Sequence, residues 1–150
     1  MSTSMTDTPI TRPSQTELHD PPMPVRATLA AAWTSFMFLY IYVDYLGLYT
    51  PGYIDDIRSG VVWEFTLNQT FVVAGLALIA IPTFMIVLSM ALPARASRMV
   101  NLVVAALYIP VSAFNAVGED WVYFYGLGVV LELALLAFIL RAAWTWPRTR

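Results

Sequence analysis

Two carboxylates and two phenols stand in stretches where almost nothing else is polar. Asp44 closes the apolar start of "FLYIYVDYLGLYTPGYIDDIRSG" (38–60), and Glu132 is the twelfth residue of "WVYFYGLGVVLELALLAFIL" (121–140). A charged acid at the centre of a membrane helix costs at least about 2.5 kcal/mol on the insertion scale. Glu132 is therefore expected to face neighbouring helices, where a neutral carboxyl is cheaper than a carboxylate. Matching depth at about 1.5 Å per residue puts Tyr108 level with Glu132, Tyr40 one turn further along and Asp44 one turn beyond that. A ladder of Glu132, Tyr108, Tyr40 and Asp44 is what a proton path or a polar-ligand pocket uses. It is equally the form of an interhelical hydrogen-bond cluster, and Asp44 also reads as a tie between helix ends or a partner for Arg58. Spacing of i±3 and i±4 places Tyr125, Gly128, Val129, Leu136 and Ile139 on the face of Glu132. Gly126 and Gly128 would let another helix approach closely.

Other chemistry is excluded by residue type. The chain has no cysteine, so disulfides, thiolate catalysis and Cys-ligated metals are ruled out. Its one histidine, His19, lies in a polar tail, which leaves no imidazole for a haem or a metal within the apolar segments. There is no HExxH, no P-loop, no nucleophile–base set and no Gly-rich dinucleotide fingerprint. Asp55 and Asp56 are adjacent, and adjacent helical residues point apart, so they make a poor acid/base pair. The expectation is a protein without cofactor or metal that is not an enzyme. A net charge of −2 with scattered arginines gives no face for nucleic acid.

The elements that must position these residues are helices in a bilayer. Of 150 residues, 59% are hydrophobic and 12% charged, more apolar than a soluble domain of this size could hide. Residues 1–25 carry five prolines among Ser, Thr and acids and read as a disordered tail. Residues 26–147 hold four apolar segments, about 27–48, 70–92, 99–117 and 121–140, each near the length that crosses a hydrocarbon core. Pro82 and Pro110 predict mild kinks in the second and third, provided neighbours satisfy the freed carbonyls. Asp120, in the tight turn "GED" (118–120), is placed to cap the fourth helix, and Ser97 to cap the third. Trp33, Trp63, Trp121, Trp144 and Trp146 mostly lie near helix ends, where amphipathic rings mark membrane borders.

Every basic residue is arginine, and their distribution sets an orientation. With four alternating helices, Arg12, Arg26, Arg95, Arg98, Arg141, Arg148 and Arg150 share one side. Arg58 is alone on the other, with Asp55, Asp56, Glu64, Glu119 and Asp120. Positive residues stay inside, so both termini are expected in the cytoplasm. Thr50-Pro51-Gly52 stops the first helix. Ile54, Ile57 and Val61 then recur at helical spacing, with Asp55, Asp56 and Arg58 opposite, as in a short amphipathic helix on the outer surface. The predicted class is all-α: an integral-membrane four-helix bundle of the inner (plasma) membrane.

Several motifs together look familiar. "YVDYLGLYTPGYIDDIRSG" (42–60), "IPTFMIVLSMALPARASRMVNLVV" (81–104), "GVVLELAL" (128–135) and "AAWTWP" (142–147) resemble a bacterial family of small four-helix membrane proteins known only as a domain of unknown function. The resemblance covers roughly residues 27–147 and implies weight on Asp44, Gly47, Pro51, Gly52, Gly60, Pro82, Ser89, Arg98, Asn101, Glu132 and Trp146. Met99 departs from the aromatic expected after Arg98. In layout the family is similar to DoxX-like membrane proteins, a fold-level analogy that implies no function.

Arg98 and Asn101, one turn apart, read as a phosphate-anchoring border with a capping amide, or as a docking site for a cytoplasmic partner. Three functions are open at this point. The first is a non-catalytic accessory or small-ligand-binding membrane protein. The second is a small proton-coupled transporter using Glu132, against which stand the arginine asymmetry and the lack of an internal repeat. The third is an enzyme acting on a quinone or lipid through Asp44 or Glu132. Expected partners are the lipid bilayer and either a second copy or another membrane protein.

Overall fold

The structure is a computed structural model that describes residues 21–62, 65–115, 117 and 121–147. Several expectations lie outside these residues: most of the polar tail with Arg12 and His19, Trp63, Glu64, Glu119, the 118–120 turn with its Asp120 cap, and Arg148 and Arg150. In chain order the elements are α1 (Val25–Gly47), α2 (Tyr53–Ser59), β1 (Val61–Val62), β2 (Phe65–Thr66), α3 (Gln69–Ala91), α4 (Ala94–Phe114) and α5 (Val122–Trp144). The architecture is all-α apart from the two short strands. Four helices, α1, α3, α4 and α5, are long and apolar enough to cross a membrane. At 21 to 23 residues each, they reach about 31–35 Å, against a hydrocarbon core of about 30 Å.

The helix boundaries follow local chemistry. Asn68 caps α3, its side-chain oxygen accepting from the backbone N–H of Phe71 at 2.9 Å. The third long helix begins at Ala94, five residues before the expected Met99, because Pro93 starts it and the Ala-Arg-Ala-Ser stretch that follows continues it with good helix formers. Ser97 therefore lies inside α4 and does not cap it. α5 likewise continues through Arg141 to Trp144, since a charge that marks a membrane border need not end a helix.

Between α1 and α3 the chain makes a small structure of its own. α2 is bracketed by two glycines in the left-handed region, Gly52 (φ 87°) and Gly60 (φ 84°), where any side chain would be strained. Because Gly60 ends α2, Val61 sits in an antiparallel ribbon, pairing with Thr66 while Val62 pairs with Phe65. The expected helical run Ile54, Ile57, Val61 thus stops at Ser59, two residues before Val61.

The long helices pack as a ring: α1 lies against α3 and α5, and α4 closes against both. α1 contributes most of the core, with Leu29, Trp33 and Phe36 fully buried beside Met85, Ala105, Leu136 and Ile139. Trp33 was expected at a membrane border; it is instead in the core, edge-on to Phe36 (5.7 Å) and Tyr108 (6.4 Å). Such edge-to-face pairs contribute about 0.5–1.5 kcal/mol each beyond their area. That matters here, because lipid removes the hydrophobic drive between helices and leaves packing and hydrogen bonds to hold them. α3 is the least enclosed, burying only Pro82, Met85 and Ser89 and turning Val72, Leu76, Phe84 and Val87 outward.

α1 and α5 approach through glycine. A Cβ on Gly128 would meet the Cγ2 of Val43 at 3.0 Å, and one on Gly47 would meet the Tyr125 hydroxyl oxygen at 2.8 Å. Gly126 has nothing within 4 Å, so of the two glycines expected to admit a neighbour only Gly128 does.

Two prolines leave helical carbonyls without their usual donors, and hydroxyls from α4 take over. Pro82 lacks the N–H that Leu78 O would accept, and the Tyr108 hydroxyl donates to that oxygen. Pro93 does the same to Ser89 O, which receives the Ser97 hydroxyl at 3.1 Å. Arginines close the helix ends nearby. Arg26 donates to Met90 O at 3.4 Å, and Arg98 donates to Ala143 O (3.1 Å) and Trp144 O (3.3 Å). These are the last carbonyls of α3 and α5, where a cation also complements the helix dipole. The starts of α1 and α4 and the ends of α3 and α5 therefore share one end, which holds Arg26, Arg95, Arg98 and Arg141.

Candidate functional site

The buried polar side chains fall into two layers that differ in one respect. The layer nearer the arginine end is satisfied. Asn101 is fully buried on α4; its Oδ1 accepts from Trp33 Nε1 at 2.7 Å and from the Ser89 hydroxyl at 3.2 Å. Its Nδ2 donates to Ser97 O at 2.8 Å. One amide thus ties α1, α3 and α4 together. Asn101 is neither a capping amide nor exposed to a partner, and Arg98 is committed to the carbonyls of α5. The pair does not form a common surface, because a single helical turn carries Asn101 into the core while Arg98 reaches across to the end of α5.

The second layer is not satisfied. Glu132, the eleventh residue of α5 and so at its middle, has a relative exposure of 1%, and its Oε2 has no hydrogen-bond partner. Ser112 of α4 faces it with 0% exposure and within hydrogen-bonding reach of the carboxyl, yet neither Glu132 Oε2 nor Ser112 Oγ makes a well-formed hydrogen bond. Native interiors rarely leave such groups unpaired, and each costs about 1–3 kcal/mol.

Tyr40 stands at the centre of this layer. It is buried on α1, its hydroxyl within hydrogen-bonding reach of Asn115, the C-cap of α4, and it lies within electrostatic reach of Asp44 and Glu132. Asp44 lies one turn further along α1, exposed, and Glu132 senses its charge as well. Among the described residues no hydrogen bond or ion pair joins Asp44 to Arg58. The lean of helical side chains toward the helix N-terminus explains the meeting. α1 and α5 run in opposite directions, so Tyr40 leans toward the arginine end while Glu132 leans away from it, and the two converge.

Of the four candidate residues, Glu132, Tyr40 and Asp44 lie within electrostatic reach of one another, with no direct hydrogen bond among them. Tyr108 adjoins Tyr40, but its hydroxyl proton is committed to Leu78 O. The two tyrosines line a narrow crevice with Met37, Leu78 and Pro82. Ser35, at the depth of Glu132, is exposed and turned away, as is Tyr123 at the depth of Asp44. Ser112 was not anticipated. Its signal is the buried stripe Ala105, Tyr108, Ser112 on α4, which carries a small polar residue onto the core face. No group of three or more acids or imidazoles able to hold a metal occurs among the described residues.

Residues 24–150 match the model of a family of unknown function, DUF6326. The chain belongs to this family. The match spans all four long helices, so both polar layers are parts of the DUF6326 region and not additions to it. Comparison with curated proteins and with solved structures gives no match, and the layout likeness to DoxX-like proteins is not confirmed.

Proposed function

We propose that this DUF6326 chain is a non-catalytic inner-membrane protein, a four-helix bundle that binds a small polar ligand at Glu132 and Ser112. One observation carries the reading: Glu132 Oε2 and Ser112 Oγ, both fully buried and within reach of each other, make no well-formed hydrogen bond, a state that among the described residues only Thr50 Oγ1, in the turn after α1, shares. A guest with one donor and one acceptor would complete both, and Tyr40 would supply a further hydroxyl. Buried polar groups inside a membrane protein are costly, which favours a functional role. In this reading the arginine end and both termini face the cytoplasm. α2 then lies on the outer surface, with Ile54 and Ile57 toward lipid and Asp55, Asp56 and Arg58 toward water. The outward face of α3 meets lipid, a second copy or another membrane protein.

Thermal-shift measurements in detergent against a set of small polar solutes test the proposal, with Glu132→Gln and Ser112→Ala in parallel. Stabilisation by particular solutes that both variants lose supports it. Stabilisation by no solute, or the same stabilisation in all three proteins, rejects it.

A second reading has its own support. Asp44 is exposed, and Tyr40 stands between it and Glu132, giving two acids and a hydroxyl from the rim to mid-helix. That order suits proton-coupled transport through Glu132. Proton uptake into proteoliposomes that is abolished by Glu132→Gln would favour this reading over passive binding.

A further inference from the structure

The arginine end holds a shallow, open groove, separate from Glu132. It measures about 500 Å³ and opens between α4 and α5, lined by Leu102, Leu140, Arg141, Trp144 and Thr145. Its walls are apolar and its rim carries one unused cation. Arg141 is exposed, and among the described residues its guanidinium makes no hydrogen bond and no ion pair. The neighbouring Arg98 differs, since its Nε and one terminal nitrogen are spent on Ala143 O and Trp144 O.

No described carboxylate can serve Arg141. Asp44 is near the far end of α1, Asp55 and Asp56 belong to α2, and Glu132 is nine residues back, about 13 Å along the same helix. The Thr145 hydroxyl is spent on its own helix, donating to Arg141 O at 2.8 Å. Trp144, with 70% exposure, stands beside the groove with Arg98 stacked 6.0 Å from its ring. An exposed indole at the end of a spanning helix belongs at the headgroup level.

We infer that this groove binds an anionic phospholipid, with an acyl chain along Leu102 and Leu140 and the phosphate on Arg141. The chemistry selects that occupant. A soluble anion would use the guanidinium and leave the apolar wall unused, and a zwitterionic lipid would bring its own cation beside the arginine along with its phosphate. Basic pockets between membrane helices hold anionic headgroups in this way, and a guanidinium suits phosphate oxygens in a bidentate pair.

Native mass spectrometry of the full chain in detergent, titrated in parallel with phosphatidylglycerol and phosphatidylcholine, tests the inference. The parent chain should retain one phosphatidylglycerol in preference to phosphatidylcholine. Arg141→Gln should weaken that retention roughly fivefold, the scale of one arginine at a membrane surface. Arg95→Gln, an exposed cation at the same end that does not line the groove, should leave retention unchanged. Excess glycerol 3-phosphate should fail to displace the lipid. Arg141 is exposed, so its substitution should leave the melting temperature in place, and Arg141→Lys should keep the preference for charge. Equal retention of the two lipids, equal losses from Arg95→Gln and Arg141→Gln, or displacement by glycerol 3-phosphate would each overturn the site.

Discussion

The Tyr108 hydroxyl on α4 donates to Leu78 O on α3, the carbonyl that Pro82 leaves without a helical donor. The bond turns a proline defect into an interhelical tie. Removing the hydroxyl with Tyr108→Phe should cost about 1 kcal/mol, within the range seen for hydrogen bonds between membrane helices. Pro82→Ala restores the N–H, so the same substitution should cost less in that background. A double-mutant cycle in detergent reads the coupling; equal costs in both backgrounds would mean that the hydroxyl does not replace the missing donor.

Asn101 holds three helices, and its loss should be felt in all of them. Asn101→Leu strands Trp33 Nε1 and the Ser89 hydroxyl in a dry core and should cost about 2–3 kcal/mol or more. Trp33 fluorescence offers a second readout, since its indole loses a direct hydrogen bond. A variant as stable as the parent would show that water replaces the amide.

Close approach of α1 and α5 depends on Gly128 and not on Gly126. Gly128→Val should destabilise by about 1–3 kcal/mol through overpacking against the stiff Val43 side chain. Gly126→Ala meets open space and should be neutral or slightly stabilising, as expected for alanine in a helix. Melting in detergent ranks the two, and similar effects would contradict the assignment.

Part of this arrangement was legible in the sequence. The face of Glu132 followed from helical spacing: Tyr125, Gly128, Leu136 and Ile139 are buried with it, and Val129 half-buried at its edge. Four long apolar helices and a short helix after Pro51-Gly52 were legible for the same reason, because periodicity and turn residues are local properties. Convergence of Glu132 with Tyr40 was not. Depth counted at Cα atoms paired Glu132 with Tyr108, whereas side chains on antiparallel helices lean in opposite directions along the bundle. Trp33 and Ser97 were misjudged because type and position near a helix end suit an interfacial ring and a cap. Their actual roles depend on which face meets Asn101 and Ser89, and helix rotation is set by packing alone.

Glu132 is a liability to the fold if it is an asset to function. Glu132→Leu removes a buried oxygen without a partner and should leave stability unchanged or raise it by up to about 3 kcal/mol. The same variant should lose all solute-dependent stabilisation. Marked destabilisation would make the carboxyl a structural donor, contrary to the site proposed here.

The central claim is that Glu132 and Ser112 form a site that small polar molecules reach. The carboxyl stretching band of Glu132, followed by infrared spectroscopy in reconstituted protein with Glu132→Gln as reference, tests it most directly. On transfer to deuterated water the account predicts a band assigned to Glu132 that shifts promptly and moves again when Ser112 is replaced by alanine. A Glu132 band that stays unexchanged while the exposed amides exchange, and ignores Ser112→Ala, would make the pair a sealed packing feature and contradict the ligand site.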